Sequence, residues 1–204
     1  MSFYSRVVFP RLCNFALGNS SVSDQRRRVL AAARGEILEL GFGTGLNLPY
    51  YPPEVRKITT VDPNPGMRRL AQRRIDQSSI AVDFRPLRGE QLPFADRSFD
   101  CVVSTYTLCS IDQVEQALSE VFRVLKPGGR FLFLEHGFSP DPRVNKWQQR
   151  LNPLQKWIGD GCRLDRPIKQ LVSDQPFAAV DCEEFYLEKT PKLLGYLYRG
   201  AAVK

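Results

Sequence analysis

The stretch Glu36-Ile37-Leu38-Glu39-Leu40-Gly41-Phe42-Gly43-Thr44-Gly45 decides the fold. Glu36 to Leu40 reads as a short buried strand that runs straight into a loop with glycine at every second position. A strand ending in such a loop marks the first βα turn of an open α/β sheet, where ligands bind beyond the carboxyl ends of the strands. Glycine there lets the backbone approach a ligand with no Cβ atom in the way.

Outward from this point the chain alternates. Upstream, the polar stretch Asn19 to Ser23 is expected to cap a helix over Asp24 to Arg34. Downstream, a helix is expected directly after the glycine loop, then a strand over Lys57 to Val61 that ends at Asp62. Pro65 suits the first turn of the next helix, which continues through Met67 to Gln77. Further strands are predicted over Val82 to Arg85, Phe99 to Ser104 and Arg130 to Leu134. Val114, Leu118, Val121, Phe122 and Leu125 recur at helical spacing within Gln113 to Leu125, and Pro127-Gly128-Gly129 stops that helix. In the last third, Asn145 to Gly159 reads as a helix broken near Pro153, and Pro167 to Ser173 as another. Val180 to Leu187 and Leu194 to Val203 form an antiparallel hairpin at the sheet edge. The expected fold class is α/β: a Rossmann-like, doubly wound, mostly parallel seven-stranded sheet. The 204 residues suit one domain, with an N-terminal helical lid over 1–34, a cofactor-binding core over 35–137 and substrate-side helices and strands over 138–204.

The loop is spaced against a dinucleotide. Its glycines fall at 41, 43 and 45, and Leu46 stands where the dinucleotide fingerprint needs its third glycine. Glu39 precedes the loop, where it would repel a pyrophosphate held by backbone N–H groups. An acid there suits a cofactor that carries an ammonium and a sulfonium, S-adenosylmethionine (SAM), whose product is S-adenosylhomocysteine. Asp62 is placed to accept both ribose hydroxyls, or to cap the helix before Pro65.

Together, Glu39-Leu40-Gly41-Phe42-Gly43-Thr44-Gly45, Val61-Asp62-Pro63-Asn64, Leu92-Pro93-Phe94, Ser98-Phe99-Asp100 and Leu125-Lys126-Pro127-Gly128-Gly129 resemble the class I SAM-dependent methyltransferases of the ubiquinone/menaquinone-biosynthesis type. The resemblance runs from about Arg34 to Gly137. It implies cofactor contacts at Glu39, Gly41, Phe42, Gly43, Thr44, Gly45, Asp62, Pro63, Thr105 and Leu108. In that family a carboxylate and backbone amides just before Leu-Pro-Phe bind adenine. Here Arg88 stands at the usual acidic position, so Glu90 or the backbone around Gly89 takes that contact. Leu108-Cys109-Ser110, Glu135-His136, Trp147-Gln148-Gln149, Gly159-Asp160-Gly161-Cys162 and the terminal Gly200-Ala201-Ala202-Val203-Lys204 resemble the methyltransferase-like 7 group. Its vertebrate members are thiol S-methyltransferases of hydrogen sulfide and small alkyl thiols, with a hydrophobic N-terminal anchor. The resemblance implies a small-molecule thiol acceptor. O-, C- or N-methylation of a quinol, phenol or phospholipid head group is the alternative reaction, and a non-catalytic SAM-binding or membrane-surface module the alternative of another class.

Methyl transfer from a sulfonium mainly needs positioning and exclusion of water. Thr105 to Ser110, after the fourth strand, and Glu135 and His136, after the fifth, are expected to border the methyl group. His136, the sole histidine, reads as a general base or as a local hydrogen-bonding group. Asp160 reads as a second proton acceptor or as a turn former. A thiol is already a few per cent ionised at neutral pH and its thiolate is strongly nucleophilic, so modest help suffices. Tyr106, Cys109, Trp147, Gln148 and Cys162 are expected on the acceptor side, with Cys162 as a small apolar filler in the alternative. Trp147 and Trp157 would wall a lid or fill the core.

The charge balance of 29 Lys+Arg against 22 Asp+Glu allows an anionic partner or a solvated basic surface, and Arg26-Arg27-Arg28 is its densest cluster. No nucleic-acid partner is expected, because neither an Asn-Pro-Pro-Tyr-type motif nor an appended RNA-binding domain occurs. Five cysteines with no C-x-x-C spacing argue against a zinc ribbon or disulfide framework; no metal is expected, and a reducing cytoplasmic setting fits. The apolar runs are too short to span a bilayer. Met1 to Leu17 is expected to form a short amphipathic segment that covers the site or makes a peripheral membrane contact. Nothing in the sequence specifies an oligomeric state.

Overall fold

A computed structural model describes residues 1–204. Seven strands, β1 (Ile37–Leu40), β2 (Lys57–Val61), β3 (Ala81–Arg85), β4 (Phe99–Thr105), β5 (Leu125–His136), β6 (Ala179–Tyr186) and β7 (Tyr196–Val203), form one sheet in the order β3-β2-β1-β4-β5-β7-β6. The first five are mutually parallel, and β7 inserts antiparallel between β5 and β6. The chain winds outward from β1 to β3, then returns to the far side of β1 as β4. That reversal opens a crevice above the carboxyl ends of β1 and β4.

Strand alternation builds two cores. Leu38 and Leu40 face one side with Phe131 and Phe133, against Val114, Leu118 and Val121 of α4 (Val114–Val124). Ile37, Leu132 and Leu134 face the other, against Val22, Val29 and Leu30 of α2 (Ser20–Leu30). Covering both faces explains why these strands read as nearly continuous apolar runs.

Several boundaries differ from the sequence reading. No α-helix follows the glycine loop; a single 3-10 turn, Leu48–Tyr50, takes its place. Pro49, Pro52 and Pro53 remove the N–H donors that a helix would need there. α2 begins at Ser20, four residues before the expected Asp24, because Asn19 rather than a later residue caps it, accepting from Val22 N at 3.0 Å. It also ends at Leu30, short of Arg34. β5 begins at Leu125, so the chain passes from α4 into strand pairing before Pro127-Gly128-Gly129. α5 (Pro142–Ile158) starts earlier than expected, behind an Asp141 cap, and continues through Pro153. The carbonyl that Pro153 cannot satisfy is that of Gln149, an exposed residue on the solvent side of the helix.

The N-terminus is helical: a π-helical turn, Tyr4–Val8, leads into α1 (Phe9–Leu17). No helix is long and apolar enough to cross a membrane. The segment lies over the crevice and is tied to both of its banks. Asn64, which caps α3 (Pro65–Asp76), donates to Ser5 O at 2.8 Å. On the other bank Ser5 Oγ donates to Asp160 Oδ2 at 2.6 Å, and the Tyr4 hydroxyl donates to Ile158 O at 2.5 Å. Gly66 permits this docking, because a Cβ there would collide with the Arg6 carbonyl. Gly66→Ala is therefore expected to lift the lid: trypsin should cut after Arg6 and Arg11 about tenfold faster, equivalent to roughly 1.4 kcal/mol of easier opening. Unchanged cleavage rates would show that the segment does not depend on this contact.

Candidate active site

A cavity of about 340 Å³ occupies the crevice under the lid, within the range of small-molecule sites. Its floor is the glycine loop. Gly41 N and Phe42 N donate to Val61 O at 2.8 and 3.4 Å, which pins the loop to the end of β2. Gly41, Gly43 and Gly45 take φ values of 73°, 55° and 75°, a region that favours glycine. Gly41, Phe42, Gly43 and Thr44 line the cavity. Gly45 does not; it makes the turn against Phe42, Leu48 and Ala71. Leu108 is also off the wall, fully buried in the core beneath α4.

Asp62 lines the cavity and is 7% exposed. Its Oδ2 accepts from Gly43 N and its Oδ1 from Asn64 N, each at 2.8 Å. Each oxygen thus uses one acceptor position and keeps another. Burial raises its pKa above the ordinary value. The helix cap belongs to Asn64, which accepts from Gly66 N at 2.9 Å, so Asp62 is left for the cavity. Pro63, Arg88, Gly89, Glu90 and Thr105 also line the wall.

Glu39 lies behind the wall rather than on it. It is 1% exposed and accepts from Asn47 Nδ2 at 2.8 Å and from the Tyr51 hydroxyl at 2.7 Å. Asn47 lines the cavity, so Glu39 acts on it through Asn47. The sequence reading passed over the cation of this network. Arg26, 3% exposed, donates from Nη1 to Asn47 Oδ1 at 3.1 Å and to Thr105 Oγ1 at 3.3 Å. Its guanidinium lies 5.6 Å from the Tyr106 ring centre, it lines the cavity, and its Nε has no partner. The available signal was a charge on the apolar face of α2, in phase with Val22, Val29 and Leu30; it was lost in the run Arg26-Arg27-Arg28.

Burial pushes the Glu39 carboxyl up to about 7, against 4.5 for an ordinary glutamate. A carboxyl raised on folding contributes fully below its unfolded pKa, and that contribution is lost as pH rises toward the folded value. Glu39→Gln should therefore melt with wild type near pH 4.5 and above it at pH 8, by on the order of 3 kcal/mol. Parallel melting curves across this range would argue against the buried carboxyl.

On the acceptor side Tyr106 lines the cavity with a left-handed backbone, φ 53°, and a buried hydroxyl that has no partner. Such strain costs about 1–3 kcal/mol. Glu135, expected beside the methyl group, instead accepts from Ser104 Oγ at 2.7 Å and from Thr107 N at 2.9 Å, and so holds the loop after β4. Asp160 sits in a left-handed turn at φ 49°, as its turn-forming reading expected; it lines the cavity, and its carboxylate accepts from Ser5 Oγ.

The remaining expected contacts lie elsewhere. His136 ends β5 behind the wall, its Nε2 2.9 Å from Cys162 Sγ, and Cys162 Sγ is 3.6 Å from Cys109 Sγ. None of these three lines the cavity. Gln148 is a buried clamp: it accepts from Ser139 N at 2.9 Å and donates to Gly137 O at 3.0 Å and Leu193 O at 3.1 Å. Trp147 is 54% exposed, with the Arg150 guanidinium 5.6 Å from its ring centre. Trp157 is 76% exposed and stacks on Tyr4. Neither tryptophan walls the cavity, because α5 turns both outward.

The donor set fits SAM. A buried cation with an orphan N–H suits the methionine carboxylate, the buried Asp62 carboxylate suits two hydroxyls, and the glycine floor leaves space. A β3-β2-β1-β4-β5-β7-β6 sheet with such a cavity at its reversal defines the class I methyltransferase fold. Residues 38–133 match the family model described as "Methyltransferase domain". The chain is 40% identical over 151 residues to thiol S-methyltransferase TMT1B of Rattus norvegicus, covering 72% of this chain and 62% of that one. It is 37% identical to thiol S-methyltransferase TMT1B of Homo sapiens, covering 83% of this chain and 69% of that one. It is also similar in structure to a SAM-dependent methyltransferase of Thermotoga maritima, with TM-score 0.68, 20% identity and 98% of each chain covered. This chain belongs to the SAM-dependent methyltransferase family. It spans less than two thirds of the rat relative's length.

Proposed function

We propose that this protein transfers the methyl group of SAM to the sulfur of a small thiol. In this reading Arg26 holds the cofactor carboxylate, Asp62 the ribose hydroxyls, and Gly89 and Glu90 border the adenine. SAM supplies an electrophilic methyl group on its sulfonium. The protein's residues orient the acceptor, close the lid over it and exclude water.

The observation that carries the acceptor class is the position of the sole histidine. His136 is turned onto Cys162 behind the wall, and Asp160 is occupied by Ser5. An alcohol or phenol acceptor would need a positioned base, whereas a thiol ionises without one. The names of the relatives above agree with this choice. The test is methyl transfer from SAM to a panel of thiols, phenols, quinols and amines. Products on thiols alone are expected; turnover confined to quinols, phenols or amines would exclude the thiol reading.

The same reading gives the N-terminal segment a peripheral membrane contact on the cytoplasmic face. Phe3, Phe15 and Trp157 are 75%, 87% and 76% exposed on the lid and the neighbouring end of α5. Co-sedimentation with anionic liposomes, lost on deleting residues 1–20, is the expected result; equal recovery of both forms would count against it.

A further inference from the structure

We propose that Cys109, His136 and Cys162 bind one soft divalent metal ion of the zinc class. The C-x-x-C test on the sequence found no such site because its ligands come from three separate segments: the loop after β4, the end of β5 and the turn after α5. Folding brings them together. The two sulfurs and a ring nitrogen all lie within 4.8 Å of one another. All three residues are at most 9% exposed, so the donors are shielded from water.

The spacing is close to that of a metal site. Zinc binds thiolate at about 2.3 Å and imidazole at about 2.0–2.1 Å, so tetrahedral geometry places two sulfurs about 3.8 Å apart and a sulfur and a nitrogen about 3.6 Å apart. The Cys109–Cys162 separation is 3.6 Å. The His136–Cys162 separation is 2.9 Å, a hydrogen-bond length, and would open by about 0.7 Å as the shared proton left. Two thiols and a neutral imidazole are a soft donor set, which selects zinc-class ions over magnesium or calcium. Outer contacts that hold metal ligands in place are also present. Gln155 Nε2 donates to Cys162 Sγ at 3.5 Å, and Ser110 Oγ lies 3.5 Å from Cys109 Sγ. The backbone is braced around the cluster, with Arg163 N donating to Cys109 O at 3.0 Å.

Binding converts both thiols to thiolates and releases two protons, with no change in oxidation state. The protein supplies three ligands and leaves the fourth tetrahedral position to water or another small ligand. Ser110 and Gly161, each adjacent in sequence to a ligand, line the SAM cavity, so the site lies directly behind its wall.

The test is anaerobic titration of the reduced, metal-stripped protein with cobalt(II). One equivalent should produce a thiolate-to-cobalt charge-transfer band and the intense visible bands of tetrahedral cobalt, and zinc should displace it. Cys109→Ser, Cys162→Ser and His136→Asn should each weaken uptake at least 100-fold, while Cys182→Ser, outside the cluster, should leave it intact. Calorimetric SAM binding reports folding of every variant, and this readout is independent of which acceptor is methylated. A reduced wild-type protein that binds SAM but yields no thiolate–cobalt band overturns the proposal. So does a band that survives both Cys109→Ser and Cys162→Ser.

Discussion

Asp62→Ala is expected to weaken SAM binding by at least about 100-fold while the chain stays folded. Hydrogen bonds to an ionised group contribute roughly 1.5–3 kcal/mol each, and the two free acceptor positions of Asp62 face the cavity. Losing two such bonds corresponds to a hundredfold or more. The carboxylate does not hold the apo fold to the same degree. Burial raises its pKa, so the ionised form is held at a cost that alanine removes. Alanine also frees Gly43 N and Asn64 N, but these lie at the cavity, where water can serve them. Calorimetry with SAM and S-adenosylhomocysteine, together with thermal melts, separates these effects. Affinity within threefold of wild type would remove Asp62 from the cofactor site. A variant that fails to fold would assign it to the loop.

Gly41→Ala should have the larger effect on folding. Its φ of 73° costs an L side chain about 1–2 kcal/mol. The new Cβ would run into Thr107, coming within 2.7 Å of that residue's own Cβ. Thr107 cannot yield easily, because its N–H is held by Glu135 and its hydroxyl donates to Thr105 O at 3.1 Å. Overpacking adds about 1–3 kcal/mol, and the sum of roughly 2–5 kcal/mol lowers the melting temperature by about 5–20 °C. Gly43→Ala is the control. Its φ of 55° carries the same cost of about 1–2 kcal/mol, but its Cβ meets nothing nearer than Gly41 O at 4.0 Å, so it should melt only a few degrees below wild type and above Gly41→Ala, while losing SAM affinity by intruding on the cofactor space. Equal melting temperatures for Gly41→Ala and wild type would refute this account.

These two glycines show how much of the site was legible. Their spacing, with Glu39 before them and Asp62 after β2, pointed to SAM because charge and backbone freedom are local properties. The assignment of Asp62 between ribose and cap needed the structure, since both candidates for the cap, Asp62 and Asn64, have the right chemistry. Arg26 was not legible as a ligand. Its neighbours in sequence are exposed arginines, and only the phase of α2 sets it apart. The tryptophans and Gln148 were misplaced for a related reason. On α5 the outward and inward faces are set by contacts with Gly137, Ser139 and Leu193, which lie outside the helix.

By itself the sequence determined the alternation of strands and helices, the doubly wound sheet with its C-terminal hairpin, and a cofactor loop suited to a cationic ligand. These follow from periodicity, turn residues and charge, which act over a few residues. The tertiary structure alone decided which side chains meet. It closed the N-terminal segment between Asn64 and Asp160, buried Arg26 beside Asn47, turned His136 away from the cavity, and brought three distant segments together at Cys109, His136 and Cys162. Such contacts depend on packing between elements far apart in the chain, and no local pattern encodes them.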